Sequence, residues 1–235
     1  MSSPVASPPD TGVVLVAAGA GVRAGPGEPK QFRPILGVPM LLRALRPFTS
    51  HPAVAQVVVV LPGSYVRQPP EWLATLRGER LILAPGGPER VDSVRAGLEA
   101  LGSGVAVVLV HDAARPFVSR STVDAVIERA RRGVGAIPGV PLTDTVKEVS
   151  DGNRVARTVP RDRLWRAQTP QGFPRALIER AYERLAADTP PPTDDAEVCE
   201  RSGFPVEVVP DVVYNLKVTT PDDFRMAEAL ARELL

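Results

Sequence analysis

Short runs of apolar, mostly β-branched residues recur along the first half of the chain. Within each run the apolar positions are continuous instead of alternating with polar ones. Such runs are typical of parallel strands whose two faces are both covered by other elements. The sequence therefore predicts buried strands at Val13–Ala17, Gln56–Leu61, Leu81–Leu83 and Val105–Val110.

The segments between these strands carry helical patterns of apolar and polar residues. The predicted helices are Met40–Thr49, Tyr65–Arg77, Glu89–Leu101 and Ser121–Arg132. Regular alternation of strand and helix predicts an α/β fold with a doubly wound, mostly parallel, Rossmann-like sheet.

The regular alternation of predicted strands and helices ends at Gly133. Residues 134–137 predict a further core strand, and residues 144–149 and 155–159 predict a hairpin around an Asp-Gly turn. An isolated two-stranded hairpin is marginally stable, so we expect this β-arm, at about residues 139–172, to pack on a second subunit. The remaining predicted elements are helices at Pro174–Ala187 and Asp194–Ser202, a strand at Val206–Val209 and a last helix from Thr220.

Composition narrows the function classes. The 235 residues suit one domain, predicted at 11–235 behind a disordered leader at 1–10. A net charge of +1 gives no sign of a nucleic-acid or membrane partner. The single cysteine, Cys199, excludes an internal disulfide framework. No apolar run approaches the roughly 20 residues that span a bilayer, and the first residues lack signal-peptide features, so we expect a cytoplasmic protein.

The segment that follows the first predicted strand is rich in glycine and carries Arg23 and Lys30. Small residues at a strand end let backbone N–H groups approach a phosphate chain. Residues 19–24 fit the loose dinucleotide pattern, but the glycines and prolines at 25–29 prevent a helix from following at once. No Walker A sequence occurs. These features favour a triphosphate-gathering loop, with a plain solvated loop as the alternative.

A second candidate segment, residues 110–116, follows the fourth predicted strand. Ligands of open α/β sheets bind beyond the carboxyl ends of the strands, so Asp112 is well placed for Mg²⁺ that bridges phosphates. The alternative is a loop cap or an ion pair with Arg115. We expect His111 to be structural and His51 to be a helix-end capping residue.

Three other places carry weaker signals. The Gly86-Gly87 turn before Ser93 could present backbone groups to a base, although an ordinary turn is the simpler interpretation. Trp165 and Phe173 are expected to serve packing. Taken singly, the scattered polar residues are typical of a solvated surface; they are Thr145, Arg161, Thr169 and Lys217.

Taken together and in order, these segments resemble the 2-C-methyl-D-erythritol 4-phosphate cytidylyltransferase family, whose fold is of nucleotidyltransferase type. The resemblance extends from about Val13 to the C-terminus. The glycine loop is shared with many sugar-nucleotide transferases, whereas His-Asp-Ala-Ala-Arg-Pro combined with Thr-Pro-Gln and Lys-Val-Thr is more specific. The segments that carry it are 17–23, 29–31, 89–93, 111–116, 144–145, 169–171 and 215–219.

The resemblance implies that CTP and 2-C-methyl-D-erythritol 4-phosphate give the cytidine diphosphate alcohol and pyrophosphate, a step of non-mevalonate isoprenoid synthesis. The nucleophile is a phosphate oxygen that is largely ionised near pH 7, so catalysis reduces to positioning and charge neutralisation.

The resemblance also assigns roles to single residues. Arg23 and Lys30 would stabilise the transition state, Arg161 and Lys217 would position the incoming phosphate, and Asp112 would hold Mg²⁺. Contacts to the methylerythritol end would come from Arg115, Thr145 and Thr169. The nucleotide would be surrounded by Ala17, Ala18, Gly19, Ala20, Gly21, Gly87 and Ser93.

In this family the arm crosses to the partner of a homodimer, which would place Thr145 and Arg161 in the other subunit's site. The chain departs from common family members at Pro88, which puts one cytosine or loop contact in doubt, and also at Ala24 and Tyr214. No second catalytic domain is expected to follow. The alternatives are a cytidylyltransferase for another polyol phosphate such as ribitol 5-phosphate, an idle nucleotide-binding protein, and, more distantly, a nicotinamide dehydrogenase.

Overall fold

The computed structural model describes residues 8–19, 29–186 and 189–234. The leader predicted at 1–10 lies largely outside these residues. The strands of the described part, β1 to β12 in chain order, are Thr11–Val16, Pro34–Ile35, Val38–Pro39, Val54–Leu61, Leu81–Pro85, Val107–Asp112, Gly135–Pro141, Val146–Ser150, Arg154–Val159, Trp165–Ala167, Gln171–Pro174 and Val206–Pro210. The helices, α1 to α8, are Met40–Thr49, Gly63–Arg67, Glu71–Ala74, Arg90–Glu99, Arg120–Arg131, Arg175–Arg184, Asp195–Arg201 and Pro221–Leu234.

The central sheet confirms the predicted α/β fold. Its strand order is β10-β7-β11-β6-β1-β4-β5, and β12 also pairs with β7. Strands β6, β1, β4 and β5 run parallel, as does the β7–β12 pair. The short strands β10 and β11 are antiparallel to their neighbours. None of the helices in the described ranges is both long and apolar enough to cross a membrane.

Both faces of the sheet are covered, as the continuous apolar runs predict. In β1, Val13 and Leu15 point into a cluster with α1 and α5, while Val14 points into a second cluster with α4 and α6. The same alternation of faces continues along β4 and β6. Side chains on successive strand positions face opposite ways, so a strand between two helical layers must be apolar at every position.

A third, smaller apolar cluster lies beside the carboxyl edge of the sheet. It joins the β2–β3 hairpin to the last helix, α8, through residues such as Ile35, Met40 and Val218. Arg43 is buried and donates two hydrogen bonds to the Ile35 carbonyl oxygen, from Nε at 3.1 Å and from Nη2 at 2.7 Å. This cluster supports the chain that follows Lys30 and the residues on either side of Lys217.

One predicted helix is wrong. The segment Tyr65–Arg77 forms two short helices, α2 and α3, separated at Gln68 and the prolines that follow it. Proline lacks the N–H that a helix interior needs, and its ring disfavours helical backbone at the preceding residue. The β2–β3 hairpin and the strands β10 and β11 were not predicted.

The predicted β-arm is present as the β8–β9 hairpin, with residues 151–153 at its turn. It is shorter than the predicted span of 139–172, because the two ends of that span belong to β7, β10 and β11 of the central sheet. Its valines Val149 and Val155 are cross-strand partners, and they are 57% and 61% exposed. Phe173, expected to serve packing, is fully buried in the core. His51 accepts the Ala53 N–H at Nδ1 and contacts Asp124 through Nε2 at 2.8 Å, so its role is structural. The prediction that it caps the helix end is wrong, because Ser50 is the C-cap of α1 and the His51 ring holds the turn that follows.

Candidate active site

A cavity of about 580 Å³ opens at the carboxyl edge of the sheet, where β1, β5 and β6 end. Its walls come from segments that are far apart in the sequence, and they combine small residues with charged ones. The lining residues are Val16, Ala17, Ala18, Gly19, Lys30, Gln31, Met40, Gly87, Pro88, Glu89, Arg90, Ser93, Asp112, Ala113, Ala114, Lys217 and Thr219.

Asp112 is the last residue of β6 and is held between two cations. Lys217 Nζ lies 2.7 Å from Asp112 Oδ2, and Arg90 Nε lies 3.4 Å from Oδ1. Burial alone would raise the pKa of the Asp112 carboxyl, but Arg90 and Lys217 hold that pKa well below its ordinary value. The carboxylate is therefore ionised at neutral pH. Among the described residues, its ion-pair partners are Arg90 and Lys217 and not Arg115, which the sequence offered as the alternative partner.

His111 organises the backbone behind Asp112. Burial lowers the pKa of His111 to about 4, so the ring is neutral near pH 7. A carbonyl oxygen accepts hydrogen bonds, so Nε2, 3.0 Å from the Arg115 carbonyl, carries the ring proton. Nδ1 then accepts from the Thr169 hydroxyl at 2.9 Å, and that hydroxyl accepts the Asp112 N–H at 3.1 Å. His111 is therefore structural, as the sequence predicts.

The two described ends of the glycine-rich segment are joined directly. Gln31 is buried, and its Nε2 donates to the Ala17 carbonyl oxygen at 2.9 Å. Lys30 Nζ donates to the Val218 carbonyl oxygen at 3.3 Å. These contacts hold Lys30 between β1 and the segment that carries Lys217. Ala20, Gly21 and Arg23, which the sequence predicts as site residues, lie outside the described residues.

The Gly86-Gly87 turn brings the start of α4 close to the end of β1. A Cβ atom at Gly86 would lie 2.4 Å from the Ala18 Cβ and 2.7 Å from the Ser93 Oγ, so only glycine fits there. Ser93 is buried, and its hydroxyl donates to the Glu89 carbonyl oxygen at 3.2 Å. The turn thus presents Gly87 and Ser93 to the cavity opposite Ala18.

A smaller recess of about 180 Å³ adjoins the main cavity and shares Arg90, Asp112 and Lys217 with it. Arg115 and Thr169 line this recess. Arg115 donates from Nη1 to the Asn215 carbonyl oxygen at 2.8 Å and from Nη2 to that of Ala167 at 3.3 Å. The Thr169 hydroxyl is already engaged with His111 and the Asp112 backbone. Its predicted contact with a substrate stays a prediction.

Two predicted site residues lie elsewhere. Thr145 and Arg161 are exposed beside the β-arm, and Arg161 Nη1 donates to the Thr145 Oγ1 at 3.3 Å. Neither residue lines the cavity or the recess of its own chain. That placement fits the expectation that the pair serves a partner's site, which stays a prediction.

The structure thus brings most of the predicted residues to one edge of the sheet. The main cavity collects Ala17, Ala18, Gly19, Lys30, Gly87, Ser93, Asp112 and Lys217. Sequence reasoning missed Gln31, Arg90 and Asp195. Gln31 and Arg90 lie inside segments that carry the family resemblance, at 29–31 and 89–93. Asp195 lies outside them, and no local pattern marks it, because it pairs with Arg90 from 105 positions away.

Comparison with known proteins gives one consistent family. Residues 11–233 match the family model described as 2-C-methyl-D-erythritol 4-phosphate cytidylyltransferase. The chain is 46% identical to the protein of that name from Streptomyces coelicolor, over 97% of this chain and 88% of that protein. It is 40% identical to the one from Syntrophus aciditrophicus, over 96% and 97% of the two chains.

Solved structures agree with this result. The crystal structure of 2-C-methyl-D-erythritol 4-phosphate cytidylyltransferase from Thermus thermophilus superimposes with a TM-score of 0.78 and 37% identity, covering 93% of this chain and 98% of that one. The 4-diphosphocytidyl-2C-methyl-D-erythritol synthase from Anaerococcus prevotii superimposes with a TM-score of 0.81 and 27% identity, covering 94% and 98%.

Proposed function

Because this chain belongs to the 2-C-methyl-D-erythritol 4-phosphate cytidylyltransferase family, we propose that its cavity transfers the cytidylyl group of CTP to 2-C-methyl-D-erythritol 4-phosphate and releases pyrophosphate. One observation carries the assignment to this cavity. Small residues after β1, two lysines and an ionised aspartate converge on a single opening at the carboxyl edge of the sheet. Phosphate chains bind at such edges.

The chemistry requires positive charge more than proton transfer. A phosphate oxygen of the acceptor attacks the α-phosphorus of CTP and forms a new P–O bond, while the bond from that phosphorus to the bridging oxygen breaks and its electron pair leaves with pyrophosphate. The attacking oxygen is largely ionised near pH 7, so no general base is needed. Lys30 and Arg23 neutralise charge that develops around the α-phosphate and the leaving group.

The donor set at Asp112 fits Mg²⁺. Magnesium usually keeps several waters and binds through one or two carboxylates together with substrate phosphates. Asp112 supplies an ionised carboxylate inside the cavity, and no cluster of three or more acidic, histidine or cysteine side chains occurs within the described ranges. Asp112 would hold the ion against the triphosphate. There the ion would supply charge neutralisation and orientation of the phosphates.

Acceptor binding is assigned to the smaller recess. Lys217 reaches both cavities, so it can meet the acceptor's phosphate beside the nucleotide. Arg115 lines the recess beyond it. We also propose that Arg161 and Thr145 join this site from the partner of a homodimer. The exposed valine pair Val149 and Val155 on the arm supports burial of this hairpin against another subunit. A cytoplasmic location stays a prediction.

The deciding experiment measures Mg²⁺-dependent pyrophosphate release from CTP in parallel reactions. The reactions contain 2-C-methyl-D-erythritol 4-phosphate, ribitol 5-phosphate or no acceptor. Release with the methylerythritol compound alone supports the proposal. Release with ribitol 5-phosphate instead would keep the mechanism and change the substrate. If a folded protein that binds CTP releases no pyrophosphate in any of the three reactions, the proposal is contradicted.

A further inference from the structure

Within the described residues, two cations contact the Asp112 carboxylate, and they are held very differently. Lys217 Nζ lies 2.7 Å from Oδ2, and the Lys217 side chain is 43% exposed. Arg90 Nε lies 3.4 Å from Oδ1, and the Arg90 side chain is 26% exposed. A lysine ammonium on an exposed, flexible stem can move at little cost, whereas a guanidinium held at two points cannot.

The second point that holds Arg90 is Asp195, at the start of α7. Arg90 Nη2 lies 2.7 Å from Asp195 Oδ2, and the Asp195 side chain is completely buried. Its other carboxylate oxygen, Oδ1, accepts the Tyr182 hydroxyl at 2.6 Å, and its backbone N–H donates to the Gln171 Oε1 at 3.0 Å. Moving Arg90 away would leave a buried carboxylate without its counter-charge, so the position of Arg90 is fixed.

A divalent cation needs a free lone pair on Asp112 and a carboxylate in a defined orientation. If a divalent cation displaces one of these two side chains from the Asp112 carboxylate, it displaces Lys217, because Asp195 holds Arg90 in place. We propose that Arg90, anchored by Asp195, is a positioning residue that fixes the Asp112 carboxylate, while Lys217 is the exchangeable partner that leaves it when a divalent cation binds. This inference rests on the proposed metal role of Asp112. It also gives Lys217 a reason to become available to the acceptor's phosphate at that moment.

A cation beside Asp112 can affect metal binding in two opposite ways, by repelling the metal or by orienting the carboxylate that binds it. If Arg90 and Lys217 only repelled the metal, removing either one would strengthen metal binding. If Arg90 orients the ligand, removing it weakens metal binding, because residues that hold a metal ligand in place are typically worth about 10- to 100-fold in metal affinity. Removing Lys217 still leaves metal binding unchanged or stronger.

The test is the thermodynamic coupling between metal and nucleotide, measured without turnover. The dissociation constant of CTP is determined by calorimetry with Mn²⁺ and with EDTA, in the absence of acceptor. The ratio of the two constants reports the coupling. The variants are Arg90→Lys, the double variant Arg90→Met with Asp195→Asn, and Lys217→Met. The double variant removes one positive and one negative charge together, so it leaves neither buried charge unpaired.

We expect the ratio to shrink about 10-fold or more in Arg90→Lys and in the double variant. In these two variants, the affinity for CTP measured in EDTA should stay within about threefold of the wild-type value. A general loss of structure would instead weaken CTP binding both with Mn²⁺ and with EDTA. Lys217→Met should keep or enlarge the ratio. The matched control is Arg95→Met on the same helix, because Arg95 donates to the Tyr182 carbonyl oxygen at 3.1 Å and does not line either cavity.

A wild-type ratio in Arg90→Lys and the double variant would overturn the inference, as would an equal loss in Lys217→Met. If the double variant does not unfold cooperatively, Arg90→Lys alone decides. Asp112→Asn shows whether a negative result contradicts only the roles of Arg90 and Lys217 or also the proposed metal role of Asp112. If Asp112→Asn also keeps the wild-type ratio, Asp112 does not hold the metal, and both proposals fall.

Discussion

Among the described residues, Lys30 is the one that the proposed mechanism places at the charge developing around the α-phosphate and the leaving group. Its side chain lines the cavity, where its ammonium donates to the backbone carbonyl oxygen of Val218. We expect Lys30→Ala to lower turnover at least about 100-fold, because one preorganised group that stabilises developing charge is typically worth that much. The melting temperature should change little. Pyrophosphate release and a thermal melt measure the two effects.

Arg77→Ala is the control for Lys30→Ala, because Arg77 is an exposed cation away from both cavities. It should change neither quantity. A Lys30→Ala enzyme that turns over as fast as the wild type would contradict the proposed role of the cavity. Arg23→Ala is expected to behave like Lys30→Ala on the strength of the family resemblance.

Gln31 is expected to matter through the hydrogen bond that joins the two stems of the glycine-rich segment. Gln31→Met keeps the length of the side chain but removes the donor to the Ala17 carbonyl oxygen. A buried acceptor then loses its partner, which costs about 1–3 kcal/mol, and Lys30 loses a restraint. We predict a higher KM for CTP and a lower kcat, both read from steady-state kinetics.

The control for Gln31 is Gln56→Met. Gln56 also bridges two segments, through Glu79 and Gly102, but it does so on the exposed side of the molecule. Its kinetics should match the wild type. Equal kinetic effects from the two substitutions would show that Gln31 acts on general stability and not on the site.

At the residue scale, sequence reasoning succeeds where a residue ends a strand. Asp112 comes two positions after the end of an apolar run, so its place at the sheet edge can be predicted. Arg90 could not be assigned in this way, because its role depends on Asp195, a carboxylate that packing buries next to it. Pair contacts across 105 positions leave no local pattern.

Among the elements, α4 packs closely against β1 and β4 of the sheet, and Gly97 permits that approach. A Cβ atom there would lie 2.3 Å from the Val14 Cγ1. Gly97→Ala should therefore lower the free energy of unfolding by about 1–3 kcal/mol, the usual cost of overpacking. Gly104→Ala is the control, because a Cβ at Gly104 would lie within 4 Å of no atom in the described part of the chain. Urea unfolding of both variants measures the difference, and equal stabilities would show that α4 can shift without cost.

The start of α7 predicts a pH effect on stability. The Thr193 backbone N–H, the Thr193 hydroxyl and Arg201 lower the pKa of Glu197 to about 2. The pKa is depressed in the folded state, so the stabilisation is complete above the ordinary value of 4.5 and is lost as the pH falls towards 2. Solvent exposure limits its size to about 1 kcal/mol.

Glu197→Gln tests this effect. The variant should be less stable than the wild type at pH 7, and the gap should close as the pH approaches 2. Urea unfolding at several pH values measures the gap. A gap that stays constant down to pH 2 would mean that the carboxylate charge is not the source of the stabilisation.

At the element scale, the strands of the parallel half and most of the helices were predictable, whereas the broken helix at 65–77 and the short strands β2, β3, β10 and β11 were not. The helix α1 has the predicted bounds, and the strands of the parallel half differ from prediction by at most a few residues at each end. The strand β11 escaped prediction because it is short and contains Gly172, whose backbone packs against Val126 on α5. Its place between β6 and β7 is decided by tertiary packing, which local sequence patterns do not encode.

At the scale of the whole molecule, the sheet gathers distant segments into one site. Residues near the start of the chain, such as Ala17, line the same cavity as Lys217 and Thr219 near its end. Thr145 and Arg161 instead lie at the base of the β-arm and do not line that cavity. A single chain therefore separates two groups of residues that the proposed reaction needs together, and a second chain would unite them.

Subunit mixing tests this arrangement. Lys30→Ala and Arg161→Ala should each be nearly inactive alone. In a hybrid dimer, one site combines Lys30 from one subunit with Arg161 from the other, so that site is intact. Random exchange makes half of the dimers hybrid, each with one of its two sites complete, so mixing should restore about a quarter of wild-type activity in a symmetric dimer. Mixing Lys30→Ala with Lys217→Ala should restore none, because both residues line the cavity of the same chain. If the first mixture also stays inactive after complete exchange, the arm does not serve the partner's site.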